Sequence, residues 1–89
     1  MIRGEKMKYK ILIRKENNRL RAYLYDETGR KIACWWIEST DHKRYKPFKP
    51  LPPLAHYIIN QLPTEKIQKL ANFLIMAREG DTFEFEITS

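Results

Sequence analysis

The sequence has little cysteine and little glycine: Cys34 is the single thiol, and there are three glycines in 89 residues. One cysteine excludes an internal disulfide and a cysteine-based zinc site. Cys34 lies in the alternating run KIACWWI, where a packed thiol is the expected role rather than a nucleophile. No glycine-rich phosphate cradle is present, and neither G-x-S-x-G nor H-E-x-x-H occurs. The chain is therefore expected not to be an enzyme, and it implies no cofactor. No apolar run reaches membrane-spanning length, and no secretory h-region is found. A cytoplasmic protein without a membrane partner is the expectation. Internal repeats and low-complexity segments are also missing.

Cations are abundant, and they are unevenly placed. Residues 1–50 hold 14 Lys/Arg against 6 Asp/Glu, a balance of +8, whereas residues 51–89 hold 3 against 5, a balance of −2. A basic half beside a slightly acidic half points to a face for a polyanion rather than to general solubility. A hydrophobic content of 43% and a charged content of 31% fit one folded domain with a single core. The richness in Lys, Arg, Glu and Ile suits a thermophile.

Residues 1–7 read as a flexible tail, with Met7 an alternative start, and residues 8–89 as the domain. Residues 8–14 (KYKILIR) read as a first strand. Asn17-Asn18 offers a two-residue turn, since Asn tolerates positive φ. That turn sets Ile13 against Ala22, Ile11 against Leu24, Arg14 against Arg21, Leu12 against Tyr23 and Lys10 against Tyr25. The apolar sets coincide, which supports the register. Arg14 opposite Arg21 is a like-charge pair that a phosphate would relieve.

The run from Arg19 to Ile37 reads as two strands around a Glu27-Thr28-Gly29 turn. Simple alternation puts Leu20, Ala22, Leu24, Ile32, Cys34 and Trp36 on a core face. It puts Arg19, Arg21, Tyr23, Tyr25, Lys31, Ala33, Trp35 and Ile37 on the other. The expected pairs are Leu24 with Ile32, Ala22 with Cys34, Leu20 with Trp36, Tyr25 with Lys31, Tyr23 with Ala33 and Arg21 with Trp35. The second face mixes cations with large flat rings. Single-stranded nucleic acid asks for that combination: charge for phosphates, rings for bases. Strand preference alone also accounts for Tyr and Trp, as does burial under a second subunit.

Residues 39–53 (STDHKRYKPFKPLPP) read as a basic arm, because their prolines exclude a helix or central strand. Lys43, Arg44, Tyr45, Lys46 and Lys49 repeat the cation-and-ring composition, with His42 and Phe48 among them. The arm either wraps a nucleic-acid strand or is a solvated loop. His42 beside Asp41, and His56, are weak candidates for acid–base work.

Pro53 opens a helix with Leu54, Tyr57, Ile58 and Gln61/Leu62 as its stripe, ended by Pro63. Thr64 is the expected N-cap of a second helix, with Ile67, Leu70, Ala71, Leu74 and Ala77 in an i, i+3, i+4, i+7 row and Gly80 as its stop. Phe73, Ile75 and Met76 widen that face beyond what one sheet covers. A homodimer or higher oligomer through residues 67–77 follows as an expectation. TFEFEIT (82–88) alternates with Phe83, Phe85 and Ile87 inward. Glu84 and Glu86 share the other face, either as a carboxylate pair for a divalent metal or, more simply, as partners of Lys8 and Lys10.

The fold class expected is α+β, in the order β-β-β-arm-α-α-β. One four-stranded antiparallel sheet carries the helices on one face, with the last strand beside the first. With Tyr23, Tyr25, Trp35 and Trp36 in the central hairpin, this layout over residues 8–88 resembles the ThermoDBP-related proteins of hyperthermophilic archaea. The resemblance implies an oligomer that binds single-stranded DNA or RNA with little sequence preference and without cofactor. It implies Tyr23, Tyr25 and Trp35 as stacking rings, and Arg14, Arg19 and Arg21 as phosphate contacts. The full set of expected contacts adds Lys31 and the arm residues Lys43, Arg44, Tyr45, Lys46 and Lys49. The alternative is an oligomeric protein-interaction module whose cationic face docks an acidic partner.

Overall fold

The structure is a computed structural model that describes residues 6–37 and 51–88. Its elements are β1 (Lys6–Glu16), β2 (Arg19–Tyr25), β3 (Lys31–Ile37), α1 (Pro53–Ile59), α2 (Thr64–Ile75) and β4 (Thr82–Thr88). The strands form one antiparallel sheet in the order β3-β2-β1-β4, an α+β fold with the last strand beside the first. Lys6 and Met7, read from sequence as tail, belong to β1, where they pair with Thr88 and Ile87. Residues 38–50 carry most of the basic arm, so Lys43, Arg44, Tyr45, Lys46 and Lys49, with His42 and Phe48, lie outside the described residues.

The β1–β2 hairpin closes through Asn17 and Asn18, whose φ angles are +52° and +65°. Two successive positive φ values are what a tight hairpin turn needs to match the strand twist. The pairs are those expected: Ile13 with Ala22, Ile11 with Leu24, Arg14 with Arg21, Leu12 with Tyr23 and Lys10 with Tyr25. On the other flank of β1, Lys8 faces Glu86 and Lys10 faces Glu84, so opposite charges meet across the strands. Tyr9 stacks on its partner Phe85, with ring centres 5.5 Å apart.

The β2–β3 hairpin departs from simple alternation. Its loop is tied by the Asp26 carboxylate, which accepts from the Thr28 N–H and hydroxyl and from the Arg30 N–H at 2.9, 2.6 and 3.1 Å. Gly29 sits at φ +86°, where a side chain would be strained. Tyr25 pairs with Lys31 as expected, but Leu24 then pairs with Ala33. Ile32 is thus an extra residue on β3, a β-bulge. One extra residue reverses the facing of everything after it. Ala22 therefore meets Trp35, Tyr23 meets Cys34, Arg21 meets Trp36 and Leu20 meets Ile37.

The core lies between one sheet face and the two helices. Ile11, Ile13, Ala22, Leu24, Trp35, Ile37, Phe85 and Ile87 come from the sheet, and Ala55, Ile58, Ile59, Leu62, Leu70 and Leu74 from the helical segment. The α1 stripe is rotated from the expected one. Ala55, Ile58, Ile59 and Leu62 are buried, whereas Leu54 and Tyr57 are exposed. The Ala55 row is apolar throughout and its small first residue lets the helix approach the sheet; the Leu54 row runs out onto Gln61. In α2 the expected row is buried at Leu70, Ala71 and Leu74 and half-buried at Ile67 and Ala77. Phe73 packs on Phe83, with ring centres 5.2 Å apart. Thr64 is the first helical residue rather than the cap, because the Pro63 carbonyl already accepts from Lys66 and Ile67. Gly80 serves the turn into β4, at φ +91°, and donates its N–H to the Ile13 carbonyl at 2.8 Å.

Candidate nucleic-acid interface

Among the described residues, the helices cover one face of the sheet and leave the other open. Strand alternation and the observed register place Lys8, Lys10, Leu12, Arg14 and Glu16 of β1 on the open face. Beside them stand Arg19, Arg21, Tyr23 and Tyr25 of β2 and Lys31, Cys34 and Trp36 of β3. Thr82, Glu84, Glu86 and Thr88 complete the β4 edge. The face therefore divides. The β2–β3 side joins cations to rings, and the β1–β4 side alternates Lys with Glu.

Trp36 is the centre of the first side. The guanidinium carbons of Arg19 and Arg21 lie 4.3 and 4.8 Å from its ring centre, within cation–π range. Arg21 also reaches Tyr23 at 5.4 Å, and the Lys31 ammonium lies 5.1 Å from the same Tyr23 ring. Tyr23 and Tyr25 stack with centres 6.4 Å apart and planes inclined by 28°.

A carboxylate holds this cluster together. Glu16 accepts from Arg21 Nη1 at 3.1 Å, and its other oxygen accepts from the Tyr23 hydroxyl. The second guanidinium nitrogen, Nη2, lies 3.1 Å from Cys34 Sγ. The Glu16 carboxyl is held below its ordinary range, first by the Tyr23 hydrogen bond and then by Arg21, with Arg14 adding a further positive field. The Tyr23 phenol is pushed up, chiefly because its O–H donates to the Glu16 carboxylate and next because of desolvation. Glu16 thus supplies part of the relief of the Arg14–Arg21 repulsion.

Two expected stacking rings change role. Trp35 is 6% exposed and belongs to the core, because the bulge at Ile32 turns it inward. It faces away from any ligand on the open side, and Trp36 stands where Trp35 was expected. Ala33 and Ile37 turn inward with it, and Cys34 turns outward. Tyr23 lies on the expected face yet is 8% exposed, covered by Arg21, Lys31, Tyr25 and Glu16. It supports the cluster and offers no free ring face. Tyr25 is half-buried, and Arg14, Arg19 and Lys31 are exposed.

Sequence reasoning missed Trp36 and Glu16. The signal for Trp36 was the opposite parity of Ile32 and Ile37: both are apolar, and only an extra residue between them lets both face the protein. The signal for Glu16 was its place on the same strand face as Arg14, beside the turn that brings Arg19 opposite.

The second side has its own concavity, about 410 Å³, at the Tyr25 end of the sheet. Lys8, Tyr9, Lys10, Leu12, Tyr25 and Glu84 line it, with Asp26, Glu27 and Gly29 of the hairpin loop. Glu27 is engaged there, accepting the Lys8 backbone N–H at 3.1 Å. Among the described residues, no group of three His, Cys, Asp or Glu side chains is placed to hold a metal. Glu84 and Glu86 face Lys10 and Lys8. His56 is exposed on α1, with Asn60 Nδ2 3.4 Å from its Nδ1. No helix among the described residues is long and apolar enough to cross a membrane. Compared with protein-family models, with curated proteins and with solved structures, the chain matches none.

Proposed function

We propose that this protein binds single-stranded nucleic acid with little sequence preference, along the open face of its sheet. One observation carries the reading: Trp36 lies under two guanidinium groups on the face that the helices leave uncovered. Trp36 is half-buried where Tyr23 is sealed, so the ring surface that the guanidinium groups leave exposed suits an unpaired base, and the surrounding cations suit its phosphates. Trp36 and Tyr25 are the stacking rings. Arg14, Arg19 and Lys31 are the first phosphate contacts, with Arg21 positioned by Glu16 to orient Trp36. Lys43, Arg44, Lys46, Lys49 and Tyr45 also count as contacts on their residue types alone, since they lie outside the described residues. The likeness in layout to the ThermoDBP-related proteins is part of this proposal, as is self-association through residues 67–77.

The test is a tryptophan-fluorescence titration with single-stranded DNA, single-stranded RNA and duplex at several salt concentrations. With about four phosphates neutralised, log K falls with log salt at a slope of roughly −3. Single strands are expected to quench Trp36 and to bind more tightly than duplex. An acidic protein partner is the second reading, favoured by how few rings stay uncovered once Tyr23 and Trp35 are set aside. It requires acidic protein but no oligonucleotide to perturb the tryptophans.

A further inference from the structure

The concavity at the Tyr25 end of the open face shares only Tyr25 with the cluster around Trp36. Its chemistry differs from that of the rest of the face. Lys8, Lys10, Leu12, Tyr25 and Glu84 have the parity of the open side and set the hollow on the surface proposed to carry the strand, while Tyr9, of core-side parity, lines it at the sheet edge. Its volume, about 410 Å³, is at the small end of the range for ligand pockets. Tyr25 and Leu12 offer apolar surface, and Lys8 and Lys10 offer positive charge. The carboxylates are not equivalent. Asp26 is occupied by Thr28 and Arg30, and Glu27 by the Lys8 N–H. Glu84 stands across from Lys10, whose three donors it does not exhaust, and it is the carboxylate best placed to accept from a ligand.

We infer that this hollow receives one nucleobase of the bound strand and favours cytosine and adenine, whose exocyclic amines stand on C4 and C6, over thymine and uracil, which carry a carbonyl oxygen on C4. The inference rests on the single-strand reading above. Glu84 accepts an N–H from the amine, as carboxylates do from the cytosine amino group. Thymine and uracil present a carbonyl oxygen at the equivalent position, which an ionised carboxylate repels. Tyr25 carries the face of the base and Lys10 or Lys8 its phosphate. The face as a whole tolerates any sequence; this one position does not.

The experiment compares twelve-residue homopolymers of dC, dA and dT, at neutral pH and fixed salt, on the parent protein and on Glu84→Gln and Arg14→Ala. The parent is expected to bind dC and dA about tenfold more tightly than dT, in the range of one good side-chain reading of a base. Glu84→Gln, which can donate as well as accept, is expected to bring dT level with dC. Arg14→Ala is expected to weaken all three alike. A titration of CMP and UMP followed by amide chemical shifts locates the effect: CMP should move Lys8, Lys10, Tyr25 and Glu84, and UMP should not. Equal binding of all three homopolymers by the parent, weakened evenly by Arg14→Ala, overturns the base preference and leaves the single-strand reading standing. Retention of the preference in Glu84→Gln overturns the role of Glu84. Binding of no homopolymer overturns the single-strand reading, and the pocket assignment with it.

Discussion

The two hairpins share β2 and are closed in different ways. The β1–β2 turn has two residues, Asn17 and Asn18, and both take the same left-handed conformation. That geometry permits one register, and the alternation of side chains runs through it without interruption. The β2–β3 loop is longer, is tied by the Asp26 carboxylate, and delivers the chain into a bulge at Ile32. The bulge separates two consecutive tryptophans by environment: Trp35 enters the core and Trp36 stands among arginines. A regular hairpin gives a sheet a stable floor. An irregular one re-aims every side chain beyond its bulge, and here one of the re-aimed rings is the one the proposed function uses.

The contrast between the tryptophans is sharpest under truncation. Trp35→Ala removes a core side chain and is expected to destabilise the fold by about 3–5 kcal/mol. That is a large part of the ~5–15 kcal/mol typical of a small domain. Thermal or urea unfolding measures it, with Trp35→Phe as the milder variant. Trp36→Ala is expected to leave the unfolding midpoint close to the parent's. Its effect falls on single-strand affinity, by about 1–3 kcal/mol, with little change in salt slope. If Trp35→Ala were as stable as the parent while Trp36→Ala unfolded, the assignment of faces would be reversed.

Deleting Ile32 tests the bulge itself. With Tyr25 held opposite Lys31 and Leu24 opposite Ala33, removal of the extra residue straightens the ladder and moves no other pair. The fold and the tryptophan emission of the deletion variant are expected to match the parent's. The loss of a half-buried isoleucine lowers stability by about 1 kcal/mol. A straight-alternation hairpin would respond otherwise. Deletion there would drive Trp35 inward from an exposed position and change the emission markedly.

Much of the fold can be read from the residues, and the reason lies in how each feature is encoded. The Asn pair, the coincidence of Ile11 and Ile13 with Leu24 and Ala22, and the Lys–Glu match of β1 with β4 are local or pairwise signals. Each is satisfied in one register only. The bulge has no residue of its own. Ile32 is an ordinary strand former, and what marks it is a parity conflict five residues away at Ile37. The α1 stripe was ambiguous for a similar reason: with seven residues, a rotation by one position exchanges Leu54 for Ala55 at almost equal apolar content. In the candidate site, Arg14, Arg19, Arg21, Tyr25 and Lys31 lie on the face where the alternation put them. The ring at the centre does not, because its position depends on the one feature that pattern alone does not specify.

Glu16 gives the smallest effect and the most specific. Its carboxyl titrates below the ordinary value of 4.5 because Tyr23 and Arg21 donate to its ionised form. The Tyr23 phenol titrates above 10.0 because its protonated form donates to the Glu16 carboxylate. A lowered acid contributes stability that is complete above its unfolded pKa and lost as pH falls through the folded value. A raised phenol contributes stability that is complete below its unfolded pKa and lost as pH rises through the folded value. The unit is therefore at full strength between about pH 4.5 and pH 10 and weakens on either side. The stability difference between parent and Glu16→Gln is expected to be flat across that window and to shrink beyond both edges. Urea midpoints measured from pH 3 to pH 11 on the two proteins read it directly. The same substitution sharpens the comparison of the hairpins. Glu16 lies on β1 and orders the residues around Trp36 on β3, so Glu16→Gln should loosen the ring and leave Trp35 as it was. A difference curve that kept its full size at pH 3 would mean that Arg21 and Tyr23 do not depend on the Glu16 charge. The coupling between the regular hairpin and the re-aimed ring would then lie elsewhere.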